Sequence, residues 1–214
     1  MADIRVGGVW IREVDAWADA KTYLVDRVHE WAYPAYDAFA GGGDPNRLDD
    51  ADLLAPTLLN VRVKLRGYYG LQAQRDRLQT ALAEIDSNDI AVPGADPSLI
   101  GKLFSVLDAP GIPDVSGTTL AKILHRKRPG FIPLYDEYVR RCYQDAEEPR
   151  IRRAKSRTWS EFMTLLASAM RDDLNAAPDF WSAVVGLSTT PRITPLRALD
   201  IVAWSAGRKL LARP

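Results

Sequence analysis

Apolar residues recur every three to four positions in nearly every segment of this chain, and that spacing belongs to helices rather than strands. Residues 14–32 set Val14, Trp17, Ala18, Leu24, Val25, Val28 and Trp31 on one face. The GGGDPN cluster at 41–46 breaks the pattern, after which Asp49 or Asp50 can cap a short helix carrying Leu53, Leu54, Leu58 and Leu59, with Pro56 kinking or delaying it. A longer helix is expected from about 68 to 85, with Leu71, Leu78, Leu82 and Ile85 inward. Asp96-Pro97 opens the next, Ser116 caps one running to about Arg128, and Asp136 caps another carrying Val139, Cys142 and Tyr143. Thr158 and Glu161 fit a capping box, in which each side chain satisfies the other's backbone N–H. Two further helices follow, over about 178–187 and 195–211, the second capped by Thr194. Only the stretch at 4–11 has strand-like content, enough for a short N-terminal β-hairpin. The expectation is an all-α fold, a single helical domain over 1–214 with about eight or nine helices.

Composition narrows the chemistry. One cysteine, Cys142, rules out an internal disulfide, and with only His29 and His125 beside it no Cys/His-rich zinc site can form. No cofactor is called for, and an all-carboxylate cation site is the one metal site left open. No apolar run approaches the roughly 18 residues of a spanning helix, and the N-terminus lacks the charged-then-apolar order of a signal peptide. A cytoplasmic protein without a membrane partner is the expectation. The phosphate-cradling P-loop, the GxSxG elbow and the HExxH zinc motif are all missing.

The 28 basic and 28 acidic side chains cancel, but not locally. Residues 1–60 hold 5 basic and 11 acidic groups, whereas 122–157 hold 11 basic and 5 acidic. The basic block is either a face paired with the acidic N-terminal segment or a footprint for phosphates. A third arrangement pairs the acidic segment with the basic block of a second copy, giving a homodimer.

The stretch GIPDVSGTTLAKILHRKRPGFIPLYDEYVRR at 111–141 reads as turn, short helix, proline-marked loop, then an aspartate opening a new helix. This resembles the segment of the helix-hairpin-helix DNA glycosylase superfamily in which an LPGVGxKTA-type hairpin leads to a VDTHV-type aspartate. On that resemblance Gly117 matches the second hairpin glycine, with Val115 at the first, Ala121 the packing alanine, and Tyr135-Asp136-Glu137-Tyr138-Val139 the aspartate box. Thr119 takes the position of the lysine nucleophile of bifunctional members, 17 residues before Asp136. The resemblance implies a helix-hairpin-helix glycosylase-like core and a monofunctional enzyme that uses water, with Asp136 catalytic and Lys122, one helical turn from Thr119, able to substitute. The chain as a whole looks like an uncharacterised bacterial family.

Such an enzyme flips a base from the stack and stabilises positive charge on the sugar as the glycosidic bond breaks, work suited to a carboxylate. Ser116, Gly117, His125, Arg126, Lys127, Arg128, Arg140 and Arg141 are the expected nucleic-acid contacts, and Tyr135 and Tyr138 the expected base-stacking surfaces, with Tyr143 and Trp159 behind them. Arg197 and Asp200, at i and i+3, form an expected structural pair, and Asp200 is the second carboxylate of interest. The alternative is a non-catalytic helical module for nucleic acid or a protein partner.

Overall fold

A computed structural model describes residues 3–211. Strands β1 (Asp3–Val6) and β2 (Val9–Arg12) pair antiparallel with Val6 opposite Val9, and the chain turns at Gly7, whose φ of +64° favours glycine. Ile4 and Val6 point into the core. Helix α1 (Glu13–Lys21) follows, but the helix expected to reach 32 passes into a π-helical turn at Thr22–Asp26 and then irregular chain. The wider turn buries Tyr23 and Leu24 and leaves Val25 exposed, so the apolar stripe loses its register before Trp31.

Helix α2 (Ala35–Ala38) is one short turn that no periodicity announces. Asp49 caps α3 (Asp50–Leu54) in a reciprocal box with Asp52, at 3.1 and 3.0 Å, and Pro56 then starts a 3₁₀ turn over Ala55–Leu59. The single helix expected over 68–85 is two, α4 (Leu65–Ala73) and α5 (Arg75–Ala83). Gln74 between them has φ −97° and ψ 2°, so tertiary packing rather than a breaker residue divides the segment. This split and α2 raise the count among the described residues to eleven α-helices.

The remaining helices begin where the capping residues place them. Asp96 accepts from the Ser98 N–H at 2.9 Å ahead of α6 (Ser98–Phe104), and Ser116 accepts from the Thr119 N–H at 3.3 Å to open α7 (Gly117–Leu124). Helix α7 stops four residues short of Arg128, because the Lys127 and Arg128 N–H groups turn to the Leu124 and His125 carbonyls three residues back instead of four. Asp136 caps α8 (Glu137–Arg140), which widens into a π turn at Arg141–Asp145. The Thr158–Glu161 box opens α9 (Trp159–Ala176), followed by α10 (Pro178–Val185) and α11 (Pro195–Leu211). Helix α6 lies on α9, and α11 packs against α1, α8, α9 and α10. Buried side chains from Ile4 to Ala206 form one cluster, with Tyr36, Ala55 and Leu134 in a satellite.

Candidate active site

A cavity of about 610 Å³ opens where α7, α8 and α11 meet the chain at 23–32 and 59–61. Helix α11 supplies Arg197, Asp200, Ile201, Trp204 and Arg208, whose spacing puts them in one stripe. Asp136, Glu137 and Tyr138 come from the cap and first turn of α8, Thr118 and Lys122 from α7, and Tyr23 and Trp31 from the π turn and the irregular chain after it.

Each charged group has a definite setting. One Asp136 oxygen, Oδ1, accepts the Tyr138 and Val139 N–H groups at 2.9 and 3.0 Å, and the other has no hydrogen-bond partner among the described residues. Arg197 is buried and donates from Nε and Nη2 to Asp37 at 2.9 and 3.1 Å, from Nη1 to Asp200, and to the Tyr23 hydroxyl at 3.2 Å. Burial opposes its charge, but Asp37, Tyr23 and Asp200 outweigh that and hold it firmly cationic. Burial pushes the Asp200 carboxyl up to about 6, Arg197 pulling down and Asp136 adding to the rise. Among the described residues Lys122 donates only to the Leu59 carbonyl, at 3.4 Å, and burial lowers its pKa while Asp136 and Asp200 oppose the shift. Tyr23, Trp31, Trp204 and Tyr138 form an aromatic wall, with ring centroids 4.9 Å apart for Tyr23–Trp31, 5.2 Å for Trp31–Trp204 and 6.0 Å for Tyr138–Trp204.

Of the residues singled out in the sequence, Asp136, Lys122, Tyr138, Arg197 and Asp200 meet at this cavity, and the expected Arg197–Asp200 pair is present. The others lie elsewhere. Thr119 is buried with its hydroxyl 3.2 Å from that of Ser116, and Thr118 takes the cavity-facing place. Gly117 is covered by the Trp159 ring, so the missing side chain makes room for an indole. Tyr135 packs edge-on to Trp159 and Phe162 at 5.7 and 5.2 Å, and burial raises its hydroxyl to about 12. It borders a separate pocket of about 160 Å³.

The basic block divides in two. His125 is buried, its Nδ1–H donating to the Ile132 carbonyl at 2.7 Å, and Arg126 donates to the Asp37 carbonyl at 3.0 Å. Lys127 forms a buried ion pair with Asp52, while Arg128 donates to the Pro45 carbonyl at 2.7 Å and to Asn46. This half is not a free face, because the acidic N-terminal segment has taken it inside. Arg140 and Arg153 pair with Asp145, and Arg141 pairs with Glu137. Arg152 and Lys155 stay exposed.

Tyr23, Trp31, Trp204 and Arg208 also line the cavity, although no motif marks them. A signal existed in α11, where polar and aromatic groups at 197, 200, 204 and 208 run along a helix buried on nearly every other face. The distance from 31 to 204 along the chain hid the rest.

Gly207 holds the two sides of the cavity together. A methyl group there would overlap the Tyr138 carbonyl, so α8 can lie this close to α11 only over glycine. Gly207→Ala is expected to cost about 1–3 kcal/mol, read as a lowered urea midpoint. It would also shift Asp136 and Tyr138 away from Asp200 and Trp204.

A helical protein built around a polar and aromatic cavity is the class these features define. The chain belongs to a family of unknown function (DUF6308), whose model matches residues 16–207. No curated protein and no solved structure matches it. Among the described residues no helix is long and apolar enough to cross a membrane, and no group of three or more His, Cys, Asp or Glu side chains is placed to hold a metal ion.

Proposed function

We propose that the chain takes a nucleobase-bearing substrate into this cavity and hydrolyses its N-glycosidic bond by a monofunctional mechanism. The observation that carries the reading is the meeting of Asp136, Asp200 and Lys122 with an aromatic wall in one cavity of about 610 Å³, room for a base and its sugar. The base stacks on Trp31 or Trp204. As the C1′–N bond breaks, its electron pair leaves with the base, and the positive charge left on the sugar is stabilised by the Asp136 carboxylate. Water adds to C1′ and passes a proton to the free Asp136 oxygen, while Asp200, raised to about 6, supplies the proton for the departing base. The products are free base and a sugar bearing a 1′-hydroxyl. Proton exchange with solvent resets both carboxyls. The helix–loop–helix over 98–124, with Asp114 at φ +62° in its loop, is the element in which a glycosylase-like core is proposed.

The test is a base-release screen on oligonucleotides carrying deaminated, oxidised and alkylated bases, with free nucleosides in parallel. Asp136→Asn is expected to slow release by about 10²- to 10⁴-fold with the fold intact by circular dichroism. No release from any substrate, or equal release by both proteins, would sink the catalytic reading. Burial of Lys127 and Arg128, with Arg126 half-buried and held by the Asp37 carbonyl, favours one second reading, a non-catalytic module that binds the same ligands through the cavity. It predicts binding without release.

A further inference from the structure

The charges at the cavity sum to zero, but they are unevenly placed. Glu30 is paired with Arg27, Glu137 with Arg141, and Arg197 with Asp37 and Asp200. Three groups remain without an ion-pair partner among the described residues: the Asp136 carboxylate, the Lys122 ammonium and the Arg208 guanidinium. Lys122 offsets Asp136, and the extra negative charge of the Arg197–Asp37–Asp200 cluster lies at the buried end of the cavity, so Arg208 at the mouth is the cation left to meet a negatively charged group of the substrate.

Arg208 is the group placed to receive it. Its guanidinium lies 4.6 Å from the Trp204 ring centroid and 5.9 Å from that of Trp31, held by the two aromatic faces with no carboxylate among the described residues neutralising it. Cation–π attraction holds the guanidinium beside the indoles, and none of its N–H groups donates a hydrogen bond among the described residues. Arg208 is exposed, Trp204 half-buried and Asp200 buried, so the stripe on α11 runs from the inner end of the cavity to its mouth. Eight residues of helix separate Asp200 from Arg208, about 12 Å along the axis. That is the scale of a nucleotide from base to phosphate, with the phosphate at Arg208 and the base farther in along the aromatic wall.

From this we infer that Arg208 forms a phosphate subsite at the mouth of the cavity, and that the substrate is a phosphorylated nucleoside unit rather than a bare nucleoside. The inference rests on the nucleobase reading for what fills the inner cavity. Lys122, farther in, balances Asp136 and leaves Arg208 as the cation specific to phosphate.

Quenching of tryptophan fluorescence tests it, since Trp31 and Trp204 line the site. The probes are the common nucleosides, their 5′-monophosphates, ribose 5-phosphate and a trinucleotide without terminal phosphate. Wild type is expected to bind at least one monophosphate roughly tenfold more tightly than its nucleoside, through charge-assisted hydrogen bonds. Arg208→Ala is expected to bring the two within about twofold by weakening the monophosphate more than the nucleoside, and Arg208→Lys to keep part of the preference. An Arg208-dependent trinucleotide signal identifies an internal phosphodiester as the group recognised, and its absence a terminal phosphate. Equal binding of nucleoside and monophosphate by wild type, or a preference that survives Arg208→Ala, overturns the subsite. Arg208-dependent binding of ribose 5-phosphate with no added affinity from any base keeps the subsite and removes the nucleobase reading. Binding of no probe removes both.

Discussion

Replacing Arg197 by alanine is expected to lower stability by about 3–5 kcal/mol, seen as a large drop in the urea midpoint and a lower Tm. Three side chains depend on this guanidinium: Asp37 takes two of its hydrogen bonds, Asp200 one and the Tyr23 hydroxyl one, and it lies 5.5 and 5.8 Å from the Tyr23 and Tyr36 ring centroids. Its removal leaves two carboxylates in a poorly solvated setting with nothing to neutralise them. The loss is a large share of the roughly 5–15 kcal/mol that holds a domain folded. Most of the effect comes from the orphaned acids rather than from the lost attraction. Arg197→Met combined with Asp37→Asn and Asp200→Asn is therefore expected to recover much of the stability. If Arg197→Ala alone unfolds within 1 kcal/mol of wild type, the triad does not stabilise the fold.

The pH dependence of stability should change shape when Asp200 becomes asparagine. The Asp200 carboxyl titrates near 6 in the folded chain against an ordinary 3.8. Between those values the folded chain keeps a proton that the unfolded chain has released, so the Asp200 contribution is full below about pH 4 and is lost as pH rises through 6. At 1.36 kcal/mol per pKa unit the swing is about 3 kcal/mol. His125 works in the opposite direction. Burial drives its pKa from 6.5 down to about 4, so its contribution is full above 6.5 and is lost as pH falls through 4, again by about 3 kcal/mol. In wild type the two offset each other across the acid range. Asp200→Asn removes one side, and the variant should lose about 3 kcal/mol relative to wild type between pH 8 and pH 4. Urea titrations at pH 4, 6 and 8 measure this directly, and parallel profiles would refute the opposition.

What could be read from the sequence was local. Ser116, Asp136, Thr158 and Thr194 cap the helices they were expected to cap, because a cap is a contract between a side chain and a backbone N–H two or three residues away. Asp136 and Asp200 stood out for the same reason, as carboxylates in otherwise apolar or helix-opening surroundings. The π turns at 22–26 and 141–145 and the break at Gln74 left no mark, since they come from how whole helices seat against one another. The sign of the basic block was legible, but its depth was not. Lys127 and Asp52 are 75 positions apart, and nothing nearby announces that one will bury the other. The same holds for the aromatic wall, where Trp31 meets Trp204 across most of the chain.

The GGGDPN loop shows what that long-range pairing does to motion. By composition it is the stretch best suited to flexibility, with three glycines and a proline in six residues. Yet Lys127 donates to the Asp44 carbonyl at 3.2 Å, Arg128 donates to Pro45 and Asn46, and Asp52 beyond the loop neutralises Lys127. Peeling the loop away would strand two cations among apolar neighbours. Residues 44–52 and 125–128 therefore make up one cooperative folding unit that opens and closes as a whole, although more than seventy residues of chain lie between its halves.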